Sequence, residues 1–112
     1  MTQLWLNCTP EIASHDVYDA VVNGSISGEC IEQYNLGSGE HRCIVMVFEK
    51  YFWRNSSRAS LTVTFDTLSG RTRMTAVGSG GGNGTFFSFD WGTSSSLEST
   101  AFRAVERYCE NY

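Results

Sequence analysis

The chain has 112 residues, of which 41% are hydrophobic, and this is enough to form a single domain around one core. Twelve acidic and eight basic residues give a formal net charge of −4, whereas proteins that bind nucleic acid usually carry an excess of basic residues. The longest apolar run, residues 43–48, is too short to cross a bilayer, and the first residues do not have the pattern of a signal peptide. We therefore expect one cytoplasmic domain over residues 1–112, without nucleic-acid or membrane partners.

The N-terminal residues predict a strand followed by a helix. Residues 2–8 alternate with the period of a strand. Thr9 can cap the helix that follows, and Pro10 suits its first position. We expect Gly24 to end the helix in the left-handed conformation. The apolar stripe expected to face the core consists of Ala13, Val17, Ala20 and Val21.

From Ser25 onward the pattern changes to period two and predicts antiparallel strands. Residues 41–53 are apolar on both faces at their centre, which indicates an interior strand packed on both sides. A two-residue turn at Ser69 and Gly70 would place Asp66 opposite Arg73. The predicted strands are 25–34, 41–53, 58–68, 71–77 and 85–91, and residues 35–40 are predicted to be a loop.

The last residues, 94–112, predict a second helix with an apolar stripe that includes Leu97, Ala101 and Val105. Helices at both ends and strands between them indicate an α+β fold. We therefore expect an antiparallel sheet of about five or six strands, with the N-terminal and C-terminal helices packed on one face.

The glycine-rich stretch VGSGGGNGTFF, residues 77–87, is the most visible candidate site. Its spacing matches neither the dinucleotide-binding fingerprint nor the phosphate-binding Walker loop, and a strand is predicted after it. The structural interpretation is a hairpin loop or a strand crossing in which glycine permits positive φ or close backbone approach. The functional alternative is an anion site formed by backbone N–H groups, with the candidate residues Gly80, Gly81, Gly82, Arg71 and Arg73.

A second candidate is the pair Glu49 and Lys50, which follows the apolar run 43–48. If Ile44, Met46 and Phe48 face the core, alternation turns Lys50 to the same side. A lysine at the margin of a core commonly extends its ammonium group to solvent. The functional alternative is that Glu49 or Lys50 lines a ligand pocket between sheet and helices, ringed by Tyr51, Phe52 and Trp53.

Four widely spaced cysteines, at positions 8, 30, 43 and 109, form no C-x-x-C pair. We expect them to be reduced and buried, and we predict no metal site and no cofactor.

Catalytic signatures are also missing, so an enzyme is not favoured. The leading hypothesis is a non-enzymatic domain that binds a small molecule or a partner and forms a homodimer through an exposed face or edge of its sheet. The alternative is a small enzyme or anion-binding protein that uses residues 78–84 with Arg71 or Arg73.

Four segments carry a resemblance: NGSISGECIEQYN, RCIVMVFEKYFW, SSRASLTVTF and AVGSGGGNGTFFSFDWG. Together they resemble a family of small bacterial proteins, mainly from Firmicutes, that is grouped as a domain of unknown function. The family pattern has Gly-Ser-x-Ser after the first helix, then V-x-E-[RK]-Y, then Ser-Gly-Gly before two phenylalanines. The resemblance implies a bacterial cytoplasmic protein with a fold shared end to end, and it implies no activity or cofactor. The matching positions are Gly24, Ser25, Ser27, Val47, Glu49, Lys50, Tyr51, Ser79, Gly80, Gly81, Phe86 and Phe87.

Overall fold

A computed structural model describes residues 2–24, 27–52, 56–80 and 94–110. Within them lies a five-stranded antiparallel sheet with strand order β1-β5-β4-β3-β2, together with one helix before its four consecutive strands and one after them. The predicted α+β fold is confirmed. The elements are β1 (Thr2–Leu6), α1 (Pro10–Tyr18), β2 (Glu29–Ser38), β3 (His41–Phe52), β4 (Ser57–Asp66), β5 (Thr72–Gly80) and α2 (Ser94–Val105).

Helix α1 begins as the sequence predicts, because the Thr9 hydroxyl accepts a hydrogen bond from the Ile12 backbone N–H at 3.3 Å. A π-helical turn, Asp19–Asn23, continues it. The predicted left-handed conformation of Gly24 is wrong, because its φ is −91°. Glycine is needed there for another reason: a Cβ at this position would lie 2.5 Å from the carbonyl oxygen of Ala20.

The core lies between one face of the sheet and the two helices. Alternate residues of each strand point toward the helices, and the apolar stripes of α1 and α2 meet them. Of the predicted α1 stripe, Ala20 is half-buried and the other members are buried. The buried apolar residues are Leu6, Ala13, Val17, Val21, Ile44, Met46, Phe48, Ala59, Leu61, Val63, Phe65, Met74, Ala76, Leu97, Ala101 and Val105.

The opposite sheet face is open in the part of the chain that the structure describes, because both helices pack on the core face. Strand β3 is interior, as predicted, with β2 and β4 as its neighbours. Packing on both of its faces is not observed among the described residues. Val45 and Val47 are only half-buried, and Val77 on the same face is 43% exposed. We call this surface the open face.

The hairpin between β2 and β3 has a shorter turn than its turn-forming residues suggest. The predicted loop 35–40 is wrong for its first four residues, because β2 continues through Ser38 and only Gly39 and Glu40 connect it to β3. Gly39 has a φ of +62°, the conformation that two-residue hairpin turns require. In the β4–β5 hairpin, Asp66 lies opposite Arg73, which confirms the predicted register.

Strand β5 extends beyond its predicted end at residue 77 and includes the first glycines of the glycine-rich stretch. The predicted strand 85–91 lies outside the described residues. Helix α2 is followed by a 3₁₀ turn, Glu106–Tyr108, and Cys109 then forms a bridge to Leu6 of β1. No helix in the described ranges is long and apolar enough to cross a membrane.

Candidate functional site

A cavity of about 280 Å³ lies where β2 begins and β3 ends. It brings together Glu49 and Lys50, two of the residues that the sequence singles out. The predicted pocket lay between sheet and helices, whereas this cavity is at the end of the sheet and its lining comes from β2, β3, β4 and the segment before β2. Its lining residues are Ser27, Glu29, Glu49, Lys50, Tyr51 and Arg58.

A bulge in β2 places two acidic residues opposite each other in the lining of this cavity. The β2–β3 register is regular from the hairpin loop to Glu32. It shifts by one residue at Ile31, so that Glu29 lies directly opposite Glu49. Without the shift, Glu29 would lie opposite Lys50, which carries the opposite charge. Like charges directly opposite on neighbouring strands repel, so the bulge creates a locally unfavourable pair.

Arg58 of β4 neutralises one of the two acids. Its Nη1 donates a hydrogen bond to Glu49 Oε1 at 3.2 Å, and the guanidinium lies 6.0 Å from the centre of the Tyr51 ring. The Arg58 side chain is 68% exposed and that of Glu49 is 35% exposed, so this ion pair contributes little to stability. The Glu29 side chain makes no hydrogen bond or ion pair with another residue in the described ranges.

Ser27 holds the backbone at the end of β3. Its hydroxyl donates to the Tyr51 carbonyl oxygen at 2.6 Å and accepts from the Tyr51 backbone N–H at 3.2 Å. These bonds continue the strand pairing beyond Glu29 and fix one wall of the cavity. Ser27 belongs to the Gly-Ser-x-Ser pattern, which is the signal that could have pointed to it from the sequence.

Lys50 lies on the helix side of the sheet, where alternation predicts it. It lies two residues after the fully buried Phe48, on the same face of β3, and opposite Ala59. Its own side chain is half-buried. The lysine is therefore at the margin of the core. Since Glu49 points to the open face, the two charges border the cavity from opposite sides of β3.

Gly80 ends β5 opposite Ala59, next to Arg58, which forms the ion pair with Glu49. Its φ is +86°, and a Cβ added to it would lie 2.8 Å from the carbonyl oxygen of Arg58. Gly80 therefore needs both positive φ and close backbone approach, the two properties that the structural interpretation of the glycine-rich stretch assigns to it. Gly81 and Gly82, the other two glycines of the predicted site, lie outside the described residues.

Arg71 and Arg73 lie at the other end of β5, seven or more residues from Gly80, which corresponds to about 23 Å of extended strand. Arg73 Nε donates to Asp66 Oδ2 at 3.1 Å. Arg71 forms an ion pair with Glu110, and its guanidinium lies 4.4 Å from the centre of the Trp5 ring. The described structure therefore does not bring these arginines together with Gly80 in one site.

The four cysteines are free thiols and are half-buried, so the prediction that they are buried is wrong in degree. Three of them pack against the edge of the core. Burial raises the pKa of each thiol above its ordinary value, and a nearby carboxylate raises the pKa further. Within the described ranges no three His, Cys, Asp or Glu residues are grouped so that they could hold a metal ion.

Comparison with known proteins identifies a family. No curated protein and no solved structure matches the chain. A family model described as a family of unknown function, DUF6054, matches residues 3–109, which is nearly the whole chain and includes every residue lining the cavity. The chain therefore belongs to the DUF6054 family of unknown function.

Proposed function

We propose that this protein is a small non-enzymatic binding domain whose ligand carries both an amino group and an acidic group. The ligand would occupy the cavity at the end of β3. The observation that carries the proposal is the facing pair of carboxylates, Glu29 and Glu49, beside the guanidinium of Arg58. Free amino acids are the simplest molecules with this combination of groups.

The charges of the cavity support a ligand of both signs. Glu49 already accepts a hydrogen bond from Arg58, whereas the carboxylate of Glu29 opposite it forms no ion pair with the described residues. An ammonium group between the two carboxylates would replace repulsion with two charge-assisted hydrogen bonds. The exposed guanidinium of Arg58 has further N–H donors, which a carboxylate of the ligand would accept.

The volume supports a small ligand. About 280 Å³ is near the lower limit of ordinary ligand pockets, which begin at roughly 300 Å³. Most of the lining side chains are polar or charged, which favours a hydrophilic molecule with few heavy atoms. A nucleotide or a lipid would need a larger or more apolar space.

The thiols support a role in binding rather than in covalent catalysis. Cysteine acts as a nucleophile in its thiolate form, and a raised pKa keeps the thiol protonated at neutral pH. Free cysteines also fit a reducing compartment, so we propose that the protein acts in the cytoplasm. Its resemblance to bacterial proteins supports a bacterial origin.

A thermal-shift screen tests the proposal, because a ligand that binds the native state must stabilise it. The panel consists of free L-amino acids, the corresponding amines without a carboxylate, and carboxylic acids without an amine. We expect a subset of the amino acids to raise Tm and the single-charge analogues to have little effect. If no amino acid raises Tm at millimolar concentration, or if carboxylic acids alone do so equally well, the proposal is wrong.

A further inference from the structure

The two edges of the sheet differ in how they are covered. Strand β1 forms one edge, and the C-terminal segment lies along it: the Asn7 N–H donates to the Tyr108 carbonyl at 2.7 Å, and the Glu110 N–H donates to the Trp5 carbonyl at 3.1 Å. Strand β2 forms the other edge and pairs with β3 on one side. Within the described ranges, no strand or helix pairs with its outer side.

Strand β2 has only part of the usual protection of an exposed edge, namely two glutamates and the bulge at Ile31. It has ten residues, and none of them is lysine, arginine or proline. Tyr34 and Leu36 point to the open face and are 48% and 53% exposed. Long edges with exposed apolar side chains are templates for pairing with another strand, and proteins normally block them with charge, proline or irregular geometry.

Two irregularities limit the part of β2 that can pair. The bulge at Ile31 interrupts the strand on one side, and Gly37, with a φ of +76°, interrupts it on the other. Between them lie five regular residues, from Glu32 to Leu36. The midpoint of this segment is Tyr34.

We propose that β2 pairs with β2 of a second copy of this chain, antiparallel and with the twofold axis at Tyr34. In an antiparallel pair, residues that lie opposite each other point to the same face of the sheet, whereas successive residues of one strand point to opposite faces. Two identical strands can therefore pair symmetrically only if one residue lies opposite its own copy. The midpoint residue, Tyr34, then opposes itself. The result is one continuous sheet of ten strands, five from each copy.

The side chains of the segment are complementary to themselves in this register. Gln33 lies opposite Asn35 of the second copy, where the two amides can hydrogen-bond, and the two Tyr34 rings are adjacent. Glu32 lies opposite Leu36 of the second copy, so the acids do not face each other. A register centred on Asn35 would instead need Gly37 to pair while its φ is positive.

A groove on the helix side of the same edge, with one exposed aromatic side chain, supports a partner there. A groove of about 420 Å³ runs beside β2 and is lined by Ser14, His15, Tyr18, Gln33 and Met46. The Tyr18 side chain in it is 39% exposed. Pairing at β2 would place the second copy next to this groove and would reduce the exposure of Tyr18, besides covering Tyr34 and Leu36 on the other face.

Sedimentation velocity over a range from low micromolar to near-millimolar protein tests the pairing. We expect a reversible monomer–dimer equilibrium. Tyr34→Lys would place two like charges at the axis and should weaken the dimer by at least about tenfold. The matched control is Leu68→Lys, which adds the same charge at a side chain that is 58% exposed in the β4–β5 turn. It should leave the dimer unchanged.

Cysteine cross-linking tests the register. Under mild oxidation, Tyr34→Cys should give a disulfide-linked dimer, whereas Leu68→Cys and the unmodified chain should not. A chain that is monomeric at every concentration would overturn the proposal. A dimer that Tyr34→Lys does not weaken, or that Tyr34→Cys does not cross-link, would show that association uses another surface and would overturn it as well. Neither result depends on ligand binding in the cavity.

Discussion

Glu29 and Glu49 lie directly opposite each other on neighbouring antiparallel strands, and Arg58 donates a hydrogen bond to Glu49. The β2 bulge produces this arrangement, and it costs stability because like charges face each other. A feature that destabilises the empty protein is expected where it serves binding. Removing one of the two carboxylates should therefore raise the stability of the empty protein and weaken ligand binding in the cavity.

Replacing Glu29 with glutamine should stabilise the protein in the absence of ligand. The change removes the repulsion with Glu49, and we expect the free energy of unfolding to rise by about 0.5 kcal/mol. Urea denaturation measures the effect. The control is Glu32→Gln, an exposed acid on the same strand and the same face that lies opposite Val47. A loss of stability in Glu29→Gln would contradict the repulsion argument.

Gly80→Ala should destabilise the protein more than Gly70→Ala does. Both glycines have positive φ, +86° and +88°, so alanine at either position should cost about 1 kcal/mol of unfolding free energy. Only at Gly80 would the new Cβ meet backbone, because a Cβ at Gly70 has nothing within 4 Å. We expect at least about 1 kcal/mol of additional loss at Gly80. Equal losses in thermal unfolding would show that the contact with Arg58 relaxes freely.

Asp66→Asn should lower the free energy of unfolding by about 1–3 kcal/mol. Asp66 is 4% exposed, and it accepts hydrogen bonds from Arg73 Nε at 3.1 Å and from the Leu68 N–H at 3.2 Å. Asparagine weakens the charge-assisted bond and leaves the guanidinium without its counter-ion. Glu110, the partner of Arg71 in an ion pair, has a side chain that is 31% exposed, compared with 5% for Asp66. Glu110→Gln should therefore cost less than about 0.5 kcal/mol. Comparable losses in urea denaturation would be inconsistent with this ranking.

Tyr108→Phe should make stability less dependent on pH in the acid range. Burial raises the pKa of Asp16, but hydrogen bonds from Tyr108 and His15 and the charge of Arg107 outweigh it, and the pKa lies below its ordinary value of 3.8. A carboxyl with a lowered pKa stabilises the fold above pH 3.8, and this contribution is lost as the pH falls through the folded-state value.

Because Tyr108 donates to Asp16 Oδ2 at 2.7 Å, the phenylalanine variant should lose about 1 kcal/mol at neutral pH. The difference from the unmodified protein should shrink below about pH 4. Thermal unfolding at a series of pH values measures it. Tyr18→Phe, at an exposed tyrosine, is the control and should show no such trend. A difference that persists in acid would show that the hydroxyl does not act through the carboxylate.

Much of the fold follows from the sequence because local chemistry and tertiary packing agree. The alternation in β4 and β5 and a short turn are enough to place Asp66 opposite Arg73. The disagreements arise where pairing or close contact outweighs local preference. Residues 35–38 resemble a turn, yet they pair with β3. The reason for glycine at position 24 is the nearby Ala20 carbonyl, which no sequence pattern reveals.

The candidate site is only partly visible in the sequence. Glu49 and Lys50 stand out because they interrupt an apolar run, and the resemblance includes Ser27. Glu29 and Arg58 do not stand out, because their proximity to Glu49 depends on the bulge at residue 31 and on the β3–β4 register. A regular hairpin would have paired Glu29 with Lys50 and would have suggested a simple ion pair instead of a site.

Isothermal titration calorimetry with the same free L-amino acids measures ligand binding to the cavity directly, for the unmodified protein, Glu29→Gln and Glu32→Gln. The ligand proposal predicts one binding site per chain, with an affinity that Glu32→Gln leaves unchanged. Glu29→Gln should weaken it by about tenfold or more, since it removes one carboxylate that the ammonium group would contact. Equal affinity for the unmodified protein and Glu29→Gln, or no binding by any amino acid, would contradict the proposal that Glu29 and Glu49 bind the ammonium group of a ligand.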